Sequence, residues 1–255
     1  MERPFEFLSI FSDPMEYDSM NFDVLDDISF YIELVEKYGE PILEMGCGTG
    51  RITIPIRGRG WDIMGLDLSF PMVRRAVDKA LSMGLSLHCF VGDMRRFSLR
   101  RRFPLIIVPF NAFSHIYTFE DIRNFFENAR EHLLPDGILI IDVFNPDVDM
   151  LKGSSVKRLV SRYRDREGHL VEVYGTNFYD SATQVNYIRW YFVRGDVEWS
   201  REFTMRVFFP QELENYARLM GFHIFQKYGD YDFSTFSSTS RRQILLLTPH
   251  RGGAH

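Results

Sequence analysis

Between Pro41 and Phe144 the chain alternates short apolar runs with amphipathic stretches, and that alternation leaves few folds open. The runs are Pro41 to Met45, Trp61 to Leu66, Leu85 to Val91, Pro104 to Pro109 and Ile138 to Phe144. Each is too short for a helix and apolar on both faces, which is the pattern of strands in a parallel sheet covered on both sides. The intervening stretches carry apolar residues at three- and four-residue steps. Val24 to Tyr38 predicts a helix that ends at Gly39. Ser69 to Met83 predicts another, with Ser69 as N-cap and Pro71 in the first turn, and Phe119 to Leu134 a third, closed by Pro135-Asp136-Gly137. Strands alternating with helices specify a doubly wound α/β fold.

The pattern changes after Asn145-Pro146. Helical periods disappear from about Ser154 to Phe209, and the strings VEVYGTNF, QVNYIRWYFV and EFTMRVFF alternate with period two, as antiparallel strands do. Helical periodicity returns over Pro210 to Met220, followed by two closing strands, FHIFQKY and RQILLLT. The expected architecture is therefore a mostly parallel seven-stranded sheet built from residues 1–153 and 210–250, carrying an antiparallel β insertion over residues 154–209. The first 20 residues mix aromatic, acidic and turn-forming types and read as an irregular arm.

Composition narrows the function. At 45% hydrophobic and 25% charged, the 255 residues suit a globular domain with a real core. Lys plus Arg number 30 against 35 Asp plus Glu, a net charge of −5 that argues against nucleic acid as a main partner. Most of the cations are Arg scattered through every segment, so they mark no single site. The runs Arg95-Arg96 and Arg100-Arg101-Arg102 read as a solvated loop. No apolar stretch is long enough to span a bilayer and the opening residues are not those of a signal peptide, so a cytoplasmic protein is expected. Two cysteines, Cys47 and Cys89, are too few for a disulfide framework, and no His, Asp and Glu cluster announces a catalytic metal. A homodimer is compatible with this composition. Aromatics, at 15%, are in excess and concentrate in the arm and the insertion.

The chemistry-bearing residues fall at the carboxyl ends of the strands. The first strand runs into Glu44-Met45-Gly46-Cys47-Gly48-Thr49-Gly50, where glycines let a ligand approach the backbone and a following helix N-terminus favours negative charge. Asp67 ends the second strand, at the place where such folds put a carboxylate against ribose hydroxyls. Asp93 and Met94 end the third, an acid able to accept from an adenine amino group beside a sulfur able to cover the ring. Phe110 and Asn111 follow the fourth.

In order, LEMGCGTG, GLDLS with Met72, VGDM, VPFNAF and HLLPDGILIIDVFNP resemble the motif series of the class I S-adenosylmethionine-dependent methyltransferases, over roughly Ile42 to Pro146. The later segments resemble, more loosely, a subgroup acting on small molecules. The resemblance implies that Glu44, Gly46, Cys47, Gly48 and Gly50 surround the methionine part of S-adenosylmethionine, with Glu44 supplying negative charge. It implies that Asp67 holds the ribose with Leu68 and Met72 alongside, that Asp93 and Met94 frame the adenine, and that Phe110 and Asn111 floor the pocket. Two departures stand out: Met45 replaces the more usual small or β-branched residue, and Pro55 suggests that the first helix starts late or is kinked.

Methyl transfer is an in-line displacement that depends on positioning, so no acid–base cluster is required. Tyr17 in the arm and His115 after the fourth strand are the candidates nearest to catalysis, Tyr17 also as a contact to the cofactor; a packed Tyr and a solvated or capping His are the plain alternatives. Trp190, Tyr187, Tyr174 and Tyr231 are candidate acceptor contacts, with Trp190 and Tyr231 foremost, against simple packing in strands. The arm and the insertion are expected to close over a small-molecule methyl acceptor with an N or O nucleophile. Cys47 is expected to be an inert, small neighbour of the cofactor; reactivity would require a lowered pKa. The rival readings are a nicotinamide-dependent oxidoreductase, disfavoured by a Gly-x-Gly-x-Gly turn preceded by Glu44, and a non-catalytic S-adenosylmethionine-binding or interaction module. Modification of RNA or protein fits the charge and the insertion less well.

Overall fold

The computed structural model describes residues 9–22 and 25–250. Residues 26–145 and 208–250 form one compact unit, and residues 9–22, 25 and 146–207 form another. In the first unit the chain runs α2 (Asp26–Tyr38), β1 (Ile42–Met45), α3 (Thr53–Gly58), β2 (Ile63–Asp67), α4 (Phe70–Ser82), β3 (His88–Val91), β4 (Phe103–Val108), α5 (Phe119–His132) and β5 (Leu133–Phe144). It resumes with α7 (Pro210–Leu219), β10 (Phe222–Tyr228) and β11 (Arg242–Pro249). The seven strands lie in the order β10-β11-β5-β4-β1-β2-β3; all pairs are parallel except those made by β11.

Alternate residues of the central strands feed opposite faces, which is why these strands read as unbroken apolar runs. Ile106 and Val108 of β4 and Leu139 and Ile141 of β5 pack with Phe125 and Phe126 of α5 and Leu213 of α7. Leu105, Ile107 and Ile140 pack on the other face with Phe30, Tyr31 and Val35 of α2 and Ile56 of α3. Each such fully buried side chain contributes on the order of 1.5–3 kcal/mol relative to exposure.

Local differences from the sequence reading have physical causes. α3 begins only at Thr53, so Pro55 sits in its first turn, where its missing N–H costs nothing. Ser69 occupies the N-cap of α4 but makes no side-chain cap bond. Its own N–H donates to Asp67 Oδ1 at 2.8 Å, so Asp67 organises this turn instead. β5 starts at Leu133, taking in the Pro135-Asp136-Gly137 segment; Leu133 pairs with Phe103 ahead of an irregularity at Pro104, which has no ladder donor.

The second unit is a four-stranded antiparallel sheet in the order β6 (Ser154–Arg164), β7 (Leu170–Asp180), β8 (Val185–Arg194) and β9 (Val197–Arg206), preceded by a short helix α6 (Val148–Leu151). The reading over residues 154–209 missed β6 as a strand. It is an edge strand in which Ser, Lys and Arg interrupt Val156, Leu159, Val160 and Tyr163, so period-two apolarity is absent, and its pairing with β7 carries two register shifts. The arm corrects a second expectation: Ser9–Phe11 is a 3-10 turn and α1 (Pro14–Met20) is a helix. Asp13 caps α1 by accepting from the N–H groups of Met15 and Glu16, each at 3.0 Å, with Pro14 in the first turn. Glu16 on α1 then accepts from Trp199 Nε1 at 2.6 Å and Arg201 Nε at 2.9 Å, docking the arm on β9. No helix among the described residues is long and apolar enough to cross a membrane.

Candidate functional site

The carboxyl ends of β1, β2, β3 and β4 meet around the glycine turn. Gly46, Gly48 and Gly50 all have positive φ, 81°, 53° and 82°, a conformation that side chains with a Cβ adopt at a cost. At Gly46 there is also no room: a Cβ there would sit 2.5 Å from Ala112 Cβ, with Met94 Cε at 3.8 Å. The Gly48 N–H donates to Asp67 Oδ2 at 2.8 Å, and Met72 Cε lies 3.6 Å from where a Gly48 Cβ would stand. Asp67 therefore has its carboxylate aimed by two backbone donors, Gly48 and Ser69, at a partly exposed strand end. Burial raises its pKa, opposed by those N–H groups. Leu68, next in the chain, is 55% exposed, an apolar side chain with open space beside it.

Glu44 differs from its expected role as a standing negative charge. Its side chain is buried in β1, and desolvation pushes its pKa up to about 8, partly offset by the hydroxyl of Thr53, which donates to Glu44 Oε2. At neutral pH it is mostly protonated, and a cation placed nearby would draw the proton off.

Asp93 is tightly held. Arg95 donates from Nε to Oδ1 at 2.9 Å and from Nη2 to Oδ2 at 2.7 Å, while its Nη1 reaches Asp121 Oδ1 at 2.7 Å. Burial opposes and these bonds outweigh it, so the Asp93 pKa lies below the usual carboxylate range. Arg95 is thus no part of a solvated run, as the sequence suggested; its side chain is 17% exposed, because the two acids flanking it compensate its desolvation.

Phe110 and Asn111 both adopt left-handed backbone, φ 49° and 67°, a strained pair held from several sides. The Phe110 N–H donates to Asp142 Oδ2 at 3.0 Å, and Asn111 Oδ1 accepts from the Phe144 N–H at 2.7 Å and from Arg242 Nη2 at 3.2 Å. The Arg51 guanidinium stacks 4.4 Å from the Phe110 ring and pairs with the buried Asp27 at 2.6 Å. Asp142, fully buried, also accepts from Arg242 Nε at 2.6 Å, Tyr31 at 3.1 Å and Tyr231 at 2.9 Å. Asp27 and Asp142 balance Arg51 and Arg242, which accords with a neutral Glu44.

The remaining candidates are placed as follows. His115 closes the 3-10 turn Ala112–His115, half-buried, a few residues beyond Asn111. Tyr231 has its hydroxyl bonded to the same Asp142 oxygen as the Phe110 N–H, and burial, then Asp142, raises its pKa, so it is a neutral donor. Tyr17 and Trp190 belong to the other unit: Tyr17 lies on α1 with its ring 5.9 Å from Phe11, and Trp190 packs in the core under the second sheet, edge-on to Phe203 at 4.9 Å. There too, Tyr187 packs on Phe178 at 6.2 Å and the Tyr174 hydroxyl donates to Glu172 at 2.9 Å. In the β6–β7 turn Asp165, Glu167 and His169 gather, with Arg194 on Asp165 at 2.9 Å supplying the counter-charge. Asp27, Arg51, Asp142 and Arg242 escaped the sequence reading. The one signal available was Asp142 itself, an acid inside ILIIDVF, a run otherwise buried on both faces.

The arrangement offers two carboxylates at neighbouring strand ends, a glycine turn open to close approach, a buried acid responsive to positive charge, and two sulfur side chains against the turn. A nucleoside bearing a cationic group fits this donor set. Residues 42–137 match the family described as "Methyltransferase domain". The glycine/sarcosine N-methyltransferase of Aphanothece halophytica is 29% identical over 131 residues, 50% of this chain and 49% of that protein, so the match spans about half of that relative. The enzyme of the same name from Halorhodospira halochloris is 26% identical over 88% of this chain and 80% of its own length. Among solved structures, the CcbJ methyltransferase from Streptomyces caelestis shares the fold, with a TM-score of 0.75 at 21% identity over 88% of this chain and 95% of that one.

Proposed function

Because the chain carries a class I S-adenosylmethionine-dependent methyltransferase domain, we propose that it transfers a methyl group from S-adenosylmethionine to an N or O nucleophile of a small molecule. Bound at the glycine turn, the cofactor supplies an activated methyl group on a sulfonium. The observation that carries the reading is the aimed carboxylate of Asp67, fixed by Gly48 and Ser69 at the mouth of the turn, where it accepts from ribose hydroxyls. Leu68 and Met72 pack alongside, and Asp93, with Met94, frames the adenine. Glu44 gives up its proton as the cationic group approaches. Phe110 and Asn111 form a stiff floor, so the chain contributes positioning and exclusion of water, the effects this displacement requires.

An amine acceptor is favoured, since the two curated relatives are named for N-methylation of glycine and sarcosine. His115 and Tyr231 are the proposed acceptor-side residues. The free thiols Cys47 and Cys89 suit the proposed cytoplasmic setting. A homodimer is part of the same reading, with the exposed Val156, Leu159, Val160 and Phe178 as apolar surface for it, and light scattering reads the mass.

Calorimetry tests the central claim. S-adenosylhomocysteine is expected to bind with micromolar affinity, roughly −8 kcal/mol, NADH to give no signal, and Asp67→Ala to weaken binding at least about tenfold. Tight NADH binding without an S-adenosylhomocysteine signal would overturn the assignment. Release of S-adenosylhomocysteine across a panel of amines, amino acids, amino sugars and phenols then identifies the acceptor, and silence across the panel favours a binding module.

A further inference from the structure

Gly65 sits in the middle of β2, between β1 and β3, and the space left by its missing side chain is filled by sulfur. A Cβ built there would stand 2.7 Å from Cys47 Sγ and 2.7 Å from Cys89 Sγ. Cys89 lies on β3, directly paired with Gly65, and is held in the ladder. Cys47 belongs to the glycine turn, tied to β2 by its N–H on the Leu66 carbonyl at 3.0 Å. These are the chain's two cysteines, both free, and the fold brings them together from positions 42 residues apart.

The two thiols differ in chemical character. Cys47 is 3% exposed, while Cys89 is only partly buried. A hydrogen bond from the Cys47 thiol lowers the Cys89 pKa, whereas donating that bond, together with burial, holds Cys47 well above the usual thiol range. A partly exposed thiol with a lowered pKa beside a buried one with a raised pKa is the arrangement of an attacking cysteine with its resolving partner.

We infer that Cys89 and Cys47 form an oxidation site at which a hydroperoxide closes an intramolecular disulfide and disables the adjoining turn. The Cys89 thiolate attacks the terminal peroxide oxygen; an S–O bond forms, the O–O bond breaks, and the departing alkoxide or hydroxide takes a proton. Cys89 is oxidised by two electrons to a sulfenic acid and the hydroperoxide is reduced to an alcohol or water. Cys47, losing its proton, attacks the sulfenic sulfur; the S–S bond forms and the S–O bond breaks, releasing water. A disulfide requires the sulfurs to close to about 2.05 Å. Cys89 is fixed in a strand, so the turn must move. Gly48 moves with Cys47, and its N–H leaves Asp67 Oδ2. The functional consequence rests on the proposed role of this turn in cofactor binding.

The test treats the full chain with hydrogen peroxide and follows intact mass, free thiols and S-adenosylhomocysteine binding. The expected product is a chain about 2 Da lighter, not linked to a second chain by a disulfide and with no titratable thiol. Its S-adenosylhomocysteine affinity falls at least about tenfold and dithiothreitol restores it. Cys47→Ser is expected to gain oxygen at Cys89 without losing hydrogen to a disulfide, and Cys89→Ser to keep the Cys47 thiol over the same time. Two thiols surviving in the wild type, a disulfide between chains, or Cys89→Ser oxidising as fast as wild type overturns the site. A disulfide that leaves affinity unchanged overturns the coupling to the turn. A reduced protein that shows no S-adenosylhomocysteine signal yet forms the lighter species defeats the cofactor reading instead, and leaves the oxidation site standing.

Discussion

Glu44 is a carboxyl far from its ordinary state, with a pKa pushed up to about 8 in the folded chain against about 4.5 when exposed. Below 4.5 it is protonated in both folded and unfolded chains, and its contribution to stability is full. Between 4.5 and 8 the unfolded chain ionises while the folded one holds its proton, so stability falls by up to about 1.4 kcal/mol per pH unit; above 8 the loss is complete. Glu44→Gln is therefore expected to flatten the decline in urea-unfolding free energy between pH 5 and 8, and an unchanged slope would refute the assignment. The same titration predicts that wild type binds a cationic ligand more tightly as pH rises toward 8. Glu44, Asp67 and Asp93 were legible because strand periodicity alone places them at strand ends. The cluster of Asp27, Arg51, Asp142 and Arg242 was not, since it depends on which of four widely separated positions meet in space.

At the scale of elements, α1 shows how a clear local signal is missed in an unpromising segment. Asp13-Pro14 followed by Glu16 is a cap, a first-turn Pro and an acid in the first turn, yet the absence of an apolar stripe made the stretch read as irregular. Its face is occupied instead by Glu16, bonded to Trp199 and Arg201. Asp13→Ala is expected to cost about 1 kcal/mol, read as a lower urea midpoint with unchanged m-value, or as earlier proteolysis near residue 20 if the helix opens locally. β6 was overlooked for the complementary reason: Ser, Lys and Arg interrupt its apolar residues, which erases the alternation by which strands are recognised. The central strands carried no such ambiguity, because burial on both faces demands continuous apolarity.

For the whole molecule, binding at the glycine turn must appear as stability, since only the folded chain presents Asp67 together with Gly48. At S-adenosylhomocysteine concentrations a hundredfold above Kd the gain is about 2.7 kcal/mol, which for a chain of this size raises Tm by roughly 5–10 °C. A thermal scan that moves with NADH and not with S-adenosylhomocysteine would contradict the function proposed. The strand order has a further consequence for how the molecule comes into being. β5 finds its parallel neighbour β4 nearby in the chain, but its other edge pairs with β11, and Phe144 meets Arg242 only after the whole second sheet, α7 and β10 have intervened. Such distant pairing is slow to form. During synthesis, or on dilution from denaturant, the apolar β5 waits with one edge open while the four-stranded sheet folds from neighbouring hairpins. The interval before β11 arrives is the stage at which the nascent chain is most exposed to self-association and most dependent on chaperones.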